Sequence, residues 1–230
     1  MIFSIFNQRI LISAALLSLI FGLYSVTTKA QTAPEIWMTW RASSYVPAEF
    51  TGKAFPSDGT LVTVSFEVVN GGKFVNLSGH EIYWYLNDEL IKTGLGAQQT
   101  SFRTPIRGDH QVRVVVNNYN GESLTKTIEI SAVRPEVVIE SRYPRDVFSS
   151  SRIQVRALPY FFTTNDPTRL EYVWTVNGQK PKSEENISFL DVNLGGGVAE
   201  GYLLDIKLSV SHPTNFALMG SASKLLTFQK

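Results

Sequence analysis

The chain has 230 residues, a formal net charge of +1, 43% apolar and 18% charged residues, and no cysteine. That apolar content excludes a chain disordered throughout, and the missing cysteine excludes disulfides, thiolate-ligated metals and a thiol nucleophile. Near-neutral charge excludes bulk affinity for nucleic acid, which needs a surplus of Lys and Arg.

Residues 1–30 predict a secretory signal. Arg9 is followed by an uncharged apolar run from Ile10 to Val26, and Thr28-Lys29-Ala30 supplies small residues at the positions a signal peptidase reads. Cleavage is expected between Ala30 and Gln31. An uncleaved signal anchor, a transmembrane helix with Arg9 on the cytoplasmic side, is the second reading, because the run reaches the ~17-residue lower limit of a spanning helix. Either way the rest of the chain is expected to be exported, to the extracellular space, the cell surface or the periplasm. Membrane contact is expected only through this segment. The segment contains Arg9 and Lys29 and no acid, so the chain beyond it is slightly acidic.

From Pro34 onward the apolar residues recur with period two, the pattern of half-buried strands. Val62, Val64, Phe66 and Val68 alternate with Thr63, Ser65 and Glu67; Ile82, Trp84 and Leu86 alternate with Tyr83 and Tyr85, which are expected on the outer side of a sheet. Val112, Val114 and Val116 form the next such run, and Ile153, Val155 and Ala157 another. Leu170, Tyr172, Trp174 and Val176 come next, and then Leu204, Ile206, Leu208 and Val210. Asn87-Asp88, Asn120-Gly121 and Asn177-Gly178 are expected as tight turns, since these residues tolerate positive φ.

The order of the runs repeats. Pro34-Glu35-Ile36 returns as Pro135-Glu136-Val137, Trp84-Tyr-Leu-Asn-Asp88 as Trp174-Thr-Val-Asn-Gly178, and His110-x-Val112-x-Val114 as Tyr202-x-Leu204-x-Ile206. Each copy has roughly 100 residues, the size of a seven-strand sandwich. The expectation is an all-β chain of two domains, 34–132 and 133–230, abutting near Val133-Arg134-Pro135 without a Gly/Ser linker. The tryptophan, the turn after it, and the Gly, aromatic and alternating strand beyond (Gly108-x-His110 and Gly201-Tyr202) resemble those of bacterial immunoglobulin-like and PKD-like extracellular domains. The resemblance implies tandem β-sandwiches, with Trp84, Trp174, His110 and Tyr202 as structural core. His110 and Tyr202 take the position that resembles the tyrosine corner of such folds. The domains' usual use as stalks, adhesive modules or parts of surface assemblies is the functional expectation.

Candidate chemistry is sparse. His80, His110 and His212 have no second histidine at metal-ligand spacing. Gly195-Gly196-Gly197 lacks the Lys-Ser/Thr of a phosphate loop, and Gly220-Ser-Ala-Ser-Lys224 reads as a small-residue strand entry rather than a nucleophile elbow. Asp58, Asp88-Glu89 and Glu184-Glu185 fall in expected loops or turns, with no Asp-x-Asp-x-Asp run for calcium. The Asn76-Leu-Ser78 and Asn186-Ile-Ser188 sequons are short matches. No cofactor, metal or catalytic residue is expected, and the chain is not expected to be an enzyme. Tyr160-Phe161-Phe162, expected in a loop, are read either as packing at the domain junction or as a contact patch for a protein or glycan partner at the cell surface. The leading functional expectation is a spacer, adhesion or surface-assembly module; the alternative is an accessory carbohydrate-binding protein using outward aromatics such as Tyr83 and Tyr85.

Overall fold

The computed structural model describes residues 33–105, 107–181 and 188–230. The leader with its Ala30–Gln31 cleavage point, Glu184-Glu185 and Asn186 lie outside the described residues. Within them the chain is all-β, with two three-residue 3-10 turns, Pro144–Asp146 and Pro167–Arg169. Among the described residues no helix is long and apolar enough to cross a membrane.

The first sandwich comprises β1 (Glu35–Ala42), β2 (Leu61–Asn70), β3 (Lys73–Phe74), β4 (Glu81–Leu86), β5 (Glu89–Leu95), β6 (Gln99–Arg103), β7 (Gly108–Tyr119) and β8 (Glu122–Ala132). In one sheet β2 pairs with β1, β3 and β6; the other runs β5-β4-β7-β8. The second sandwich comprises β9 (Glu136–Ser141), β10 (Val147–Phe148), β11 (Arg152–Tyr160), β12 (Glu171–Val176), β13 (Phe189–Asn193), β14 (Leu203–His212) and β15 (Asn215–Phe228). Its sheets run β13-β11-β9 and β10-β15-β14-β12. All pairings between these strands are antiparallel except β10 with β15. Two sheets face to face, four strands on four in the first sandwich and three on four in the second, with sequential strands divided between them, are the immunoglobulin-like arrangement.

The period-two pattern sets which side chains the sheets bury. Val62, Val64, Phe66, Val68, Ile82, Trp84, Val112, Val114 and Val116 are all buried and fill one core cluster; Ile153, Val155, Ala157, Trp174, Leu204, Ile206, Leu208 and Val210 belong to a second. Because side chains alternate across a strand, one-residue slips would expose each whole set. The three predicted turns take left-handed backbone at both central residues: φ 49° and 66° at Asn87-Asp88, 52° and 91° at Asn120-Gly121, 50° and 78° at Asn177-Gly178. That twist matches the strands they join.

Pairing corrects the expected alignment of the two copies. Trp84 lies opposite Val114 in β7, and Trp174 lies opposite Leu208 in β14. His110 therefore occupies the level of Leu204, and Tyr202 that of Gly108, a slip of two residues. The slip is invisible to periodicity because a shift of two keeps every side chain on the same face. Gly220-Ser-Ala-Ser-Lys224 is likewise not a strand entry; it lies inside β15. A Cβ at Gly220 would stand 2.8 Å from Val137 Cγ2 and 3.1 Å from Pro135 O, so glycine is what lets β9 approach β15.

Candidate functional site

The segment 43–60 between β1 and β2 is long for a connection inside a sandwich, and loops beyond ~12–15 residues are usually there for a reason. It lies against the second sandwich as a strap. Tyr45 and Phe162 form an antiparallel bridge: the Tyr45 amide donates to Phe162 O at 2.8 Å, and the Phe161 amide donates to Tyr45 O at 2.7 Å. The strap is tied to its own side by Ser44 Oγ donating to Phe55 O and by the Val133 amide donating to Pro56 O at 2.8 Å.

The aromatic run meets this strap. Tyr160 is not in a loop; it closes β11, paired with Glu136. Phe161 then adopts φ 62°, the left-handed region that a bulky residue rarely enters. That reversal sends consecutive rings to different places. Phe162 is fully buried in the second core, while Phe161 packs edge-on against Phe50 and Phe55 with centroids 5.9 Å away in each pair, and Tyr160 meets Phe50 at 5.7 Å. Phe161 and Phe162 are 9% and 0% exposed, so they offer no free patch; their surface is covered within the chain. T-shaped contacts at these distances contribute beyond simple burial, roughly 0.5–1.5 kcal/mol each.

Polar contacts surround the aromatic ones. Thr163 Oγ1 lies 2.7 Å from Thr60 Oγ1 and 3.0 Å from Ser57 Oγ, and donates to Asp58 O at 3.0 Å. Arg156 reaches Glu49 at 3.0 Å and Glu140 at 3.3 Å. Glu49's carboxyl is held below the ordinary range first by its own backbone amide and then by Arg156. Burial pushes the Tyr45 phenol up, with Glu49 and Tyr160 adding to that and Arg156 opposing it.

Two corner contacts hold the turns after β4 and β12. His110 is buried, and its Nδ1 lies 3.4 Å from Asn87 Nδ2. Asn177 Nδ2 donates to the half-buried Tyr202 hydroxyl at 2.7 Å. The roles correspond although the levels differ. Two residues along a strand are about 6.6 Å, and the longer tyrosine spans that distance. Trp84 is fully buried and Trp174 is 7% exposed.

Tyr83 and Tyr85 lie on the outer face of β5-β4-β7-β8, and both are engaged. The Arg113 guanidinium sits 4.1 Å over the Tyr85 ring. A hydrogen bond to Glu81 raises the Tyr83 phenol. Arg113 thus covers one face of Tyr85, while the Tyr83 ring is half-buried beside it. Sequence reasoning missed two other surfaces. One is a cleft of about 330 Å³ lined by Ala33, Glu35, Trp37, Val69, Gly71, Gly72 and Phe74. The other is a trough of about 450 Å³ on the outer face of β12, β14 and β15, bordered by Val173, Lys207, Ser209 and Ser221. An outward tryptophan at 37 was the available signal for the first. Among the described residues no group of three His, Asp or Glu is placed to hold a metal ion.

No protein-family model and no curated protein sequence matches the chain. Solved structures to which it is similar are fibronectin type III-like and immunoglobulin-like modules. The fibronectin(III)-like modules of Clostridium thermocellum CbhA are 12% identical over 84% of this chain and 93% of theirs, with a TM-score of 0.30. The three N-terminal domains of the highly immunogenic outer capsid protein of bacteriophage RB49 are 12% identical over 85% of this chain, which spans 59% of that structure, with a TM-score of 0.43. The N-terminal Ig1-2 module of the Drosophila receptor protein tyrosine phosphatase DLAR is 12% identical over 85% of this chain and 97% of its own, with a TM-score of 0.26. The class follows from the chain's own strand pairings and its two separate cores, which are those of tandem immunoglobulin-like β-sandwiches.

Proposed function

We propose that this is a non-enzymatic, exported module in which two immunoglobulin-like domains, 34–132 and 133–230, act as one stiff spacer displaying contact surfaces at the cell surface. The strap carries this reading. A chain that only needed two folded domains would have no use for eighteen residues that give one domain's aromatic and hydroxyl side chains to the other. Domain interfaces within a chain are by default mobile unless they are well packed, and this one joins buried rings, a backbone bridge and a hydroxyl cluster. Residues 1–30 direct export, with cleavage after Ala30. The partner is a protein or glycan met at the surface.

The test is domain orientation. Small-angle scattering and residual dipolar couplings on the exported chain are expected to fit one fixed arrangement. The double variant Phe50→Ser, Phe55→Ser is expected to keep both domains folded while their couplings require separate alignment frames. A variant with unchanged couplings, or a wild type already needing two frames, removes the spacer reading.

A further inference from the structure

We propose that the cleft on the outer face of β1, β2 and β3 is a binding subsite for a neutral glycan built of gluco-configured pyranoses. This goes beyond the spacer reading and depends on residues remote from the strap. The strand register places Glu35, Val69 and Phe74 in one row across the three strands, with Trp37 beside Glu67 in the next. All five share a face, because strand side chains alternate. Trp37 is 57% and Phe74 is 70% exposed, high values for rings that ordinarily seek burial. With neighbouring strands about 4.8 Å apart and two residues of strand spanning about 6.6 Å, Trp37 and Phe74 stand on a diagonal of about 12 Å between their backbones, on either side of the Val69–Glu67 stretch of β2. A diagonal of that length is longer than one sugar, so the two rings meet different residues of an extended β-linked chain lying obliquely over the strands.

The floor and rim are built for close approach. Gly71-Gly72 forms the β2–β3 turn with φ 56° and 77°, and nothing stands within 4 Å of where either Cβ would be. The cleft's volume of about 330 Å³ falls at the low end of the ~300–1,000 Å³ typical of small-ligand sites. The Trp37 indole N–H donates to Glu35 Oε2 at 3.0 Å, which orients the ring while Glu35 Oε1 has no partner among the described residues. A pyranose with equatorial hydroxyls presents flat faces of C–H groups to such rings and edge hydroxyls to a free carboxylate oxygen. Charge selects among glycans. Glu35 and Glu67 both flank Trp37 on this face, and Lys73 alternates to the other side, so sulfated or uronic chains are repelled and neutral ones are not.

The experiment is calorimetric titration of the full exported chain with cellohexaose, chitohexaose and a heparin hexasaccharide. At least one neutral hexaose is expected to bind in the millimolar range or tighter, and the heparin fragment is not. Trp37→Ala is expected to weaken binding about tenfold, worth about 1.4 kcal/mol, and Phe74→Ala several-fold. Both variants should melt like the wild type, since both side chains are exposed. Tyr85→Ala, on the opposite sheet, is expected to bind normally. The proposal is overturned if neither neutral hexaose binds, if the heparin fragment binds in preference, or if Trp37→Ala binds like the wild type. None of these outcomes bears on domain orientation, so the spacer reading and this one fail separately.

Discussion

Trp84 stands at the centre of the first core, edge-on to Phe66 at 5.4 Å, with its indole N–H donating to Ala97 O at 2.7 Å. Trp84→Ala removes the largest fully buried side chain and orphans that carbonyl. We expect a loss of about 3–5 kcal/mol, measured by denaturant unfolding. Phe161 invites a less obvious comparison. Its ring stabilises the junction, but its φ of 62° is costly for any residue with a Cβ. Both Phe161→Ala and Phe161→Gly lose the ring contacts, yet only glycine relieves the backbone. The glycine variant should therefore be the more stable of the two by about 1 kcal/mol. Equal stabilities would show that the strap relaxes around position 161. Both residues are conspicuous in the sequence as aromatics; only Trp84's inward direction was legible, because its strand alternates and Phe161's backbone does not.

At the scale of elements, turns and bulges set the pairing that periodicity leaves open. The β4–β5 turn places Asp88 at φ 66°, where glycine is favoured in hairpins of this type. Its ion pair with Arg113 spans 2.9 Å but leaves the Asp88 side chain 82% exposed, so it contributes little. Asp88→Gly should accordingly raise the melting temperature, with a gain of up to about 1 kcal/mol. A fall would mean that the pair, through Arg113 over Tyr85, matters more than the backbone. Further along β4 a bulge between Trp84 and Tyr85 shifts the register with β5, so Trp84 faces Lys92 while Tyr85 faces Leu90. No sequence signal marks it. The two-residue slip between the copies has the same origin: a period of two says which face a residue takes, not which partner lies opposite.

For the molecule as a whole, the strap and the strand ends make the junction sensitive to pH from the alkaline side. Tyr172, whose hydroxyl donates to Pro167 O at 3.0 Å, is pushed from 10.0 up to about 12, mainly by burial, with Tyr45 and Asp166 adding to it. In the unfolded chain this phenol loses its proton first. The stability it contributes is therefore intact below about pH 10 and falls away as pH rises toward 12. Thermal melts across that range should decline, and Tyr172→Phe should flatten the decline. At the acid end, Asp191 is held low by its hydrogen bonds to Arg152, and Asp166 by Thr168. Both are solvated at the surface, so only a shallow loss is expected as pH falls below the ordinary carboxylate range.

Composition and alternation were sufficient for the β class and for which residues of each strand face inward, because burying one side of a pleated sheet imposes a period that neighbouring residues carry themselves. The tight turns were legible for the same local reason: Asn and Gly mark positive φ. What only the tertiary structure decided are relations between residues far apart in the chain. Tyr45 meets Phe162, Arg156 meets Glu49, and Trp37 lies one row from Phe74, at separations no local pattern encodes. The strap's residues look like an ordinary loop until a second sandwich is placed against them. Whether an aromatic side chain is used for packing, as Phe161 is, or left bare, as Trp37 is, depends on what the rest of the fold brings to its face.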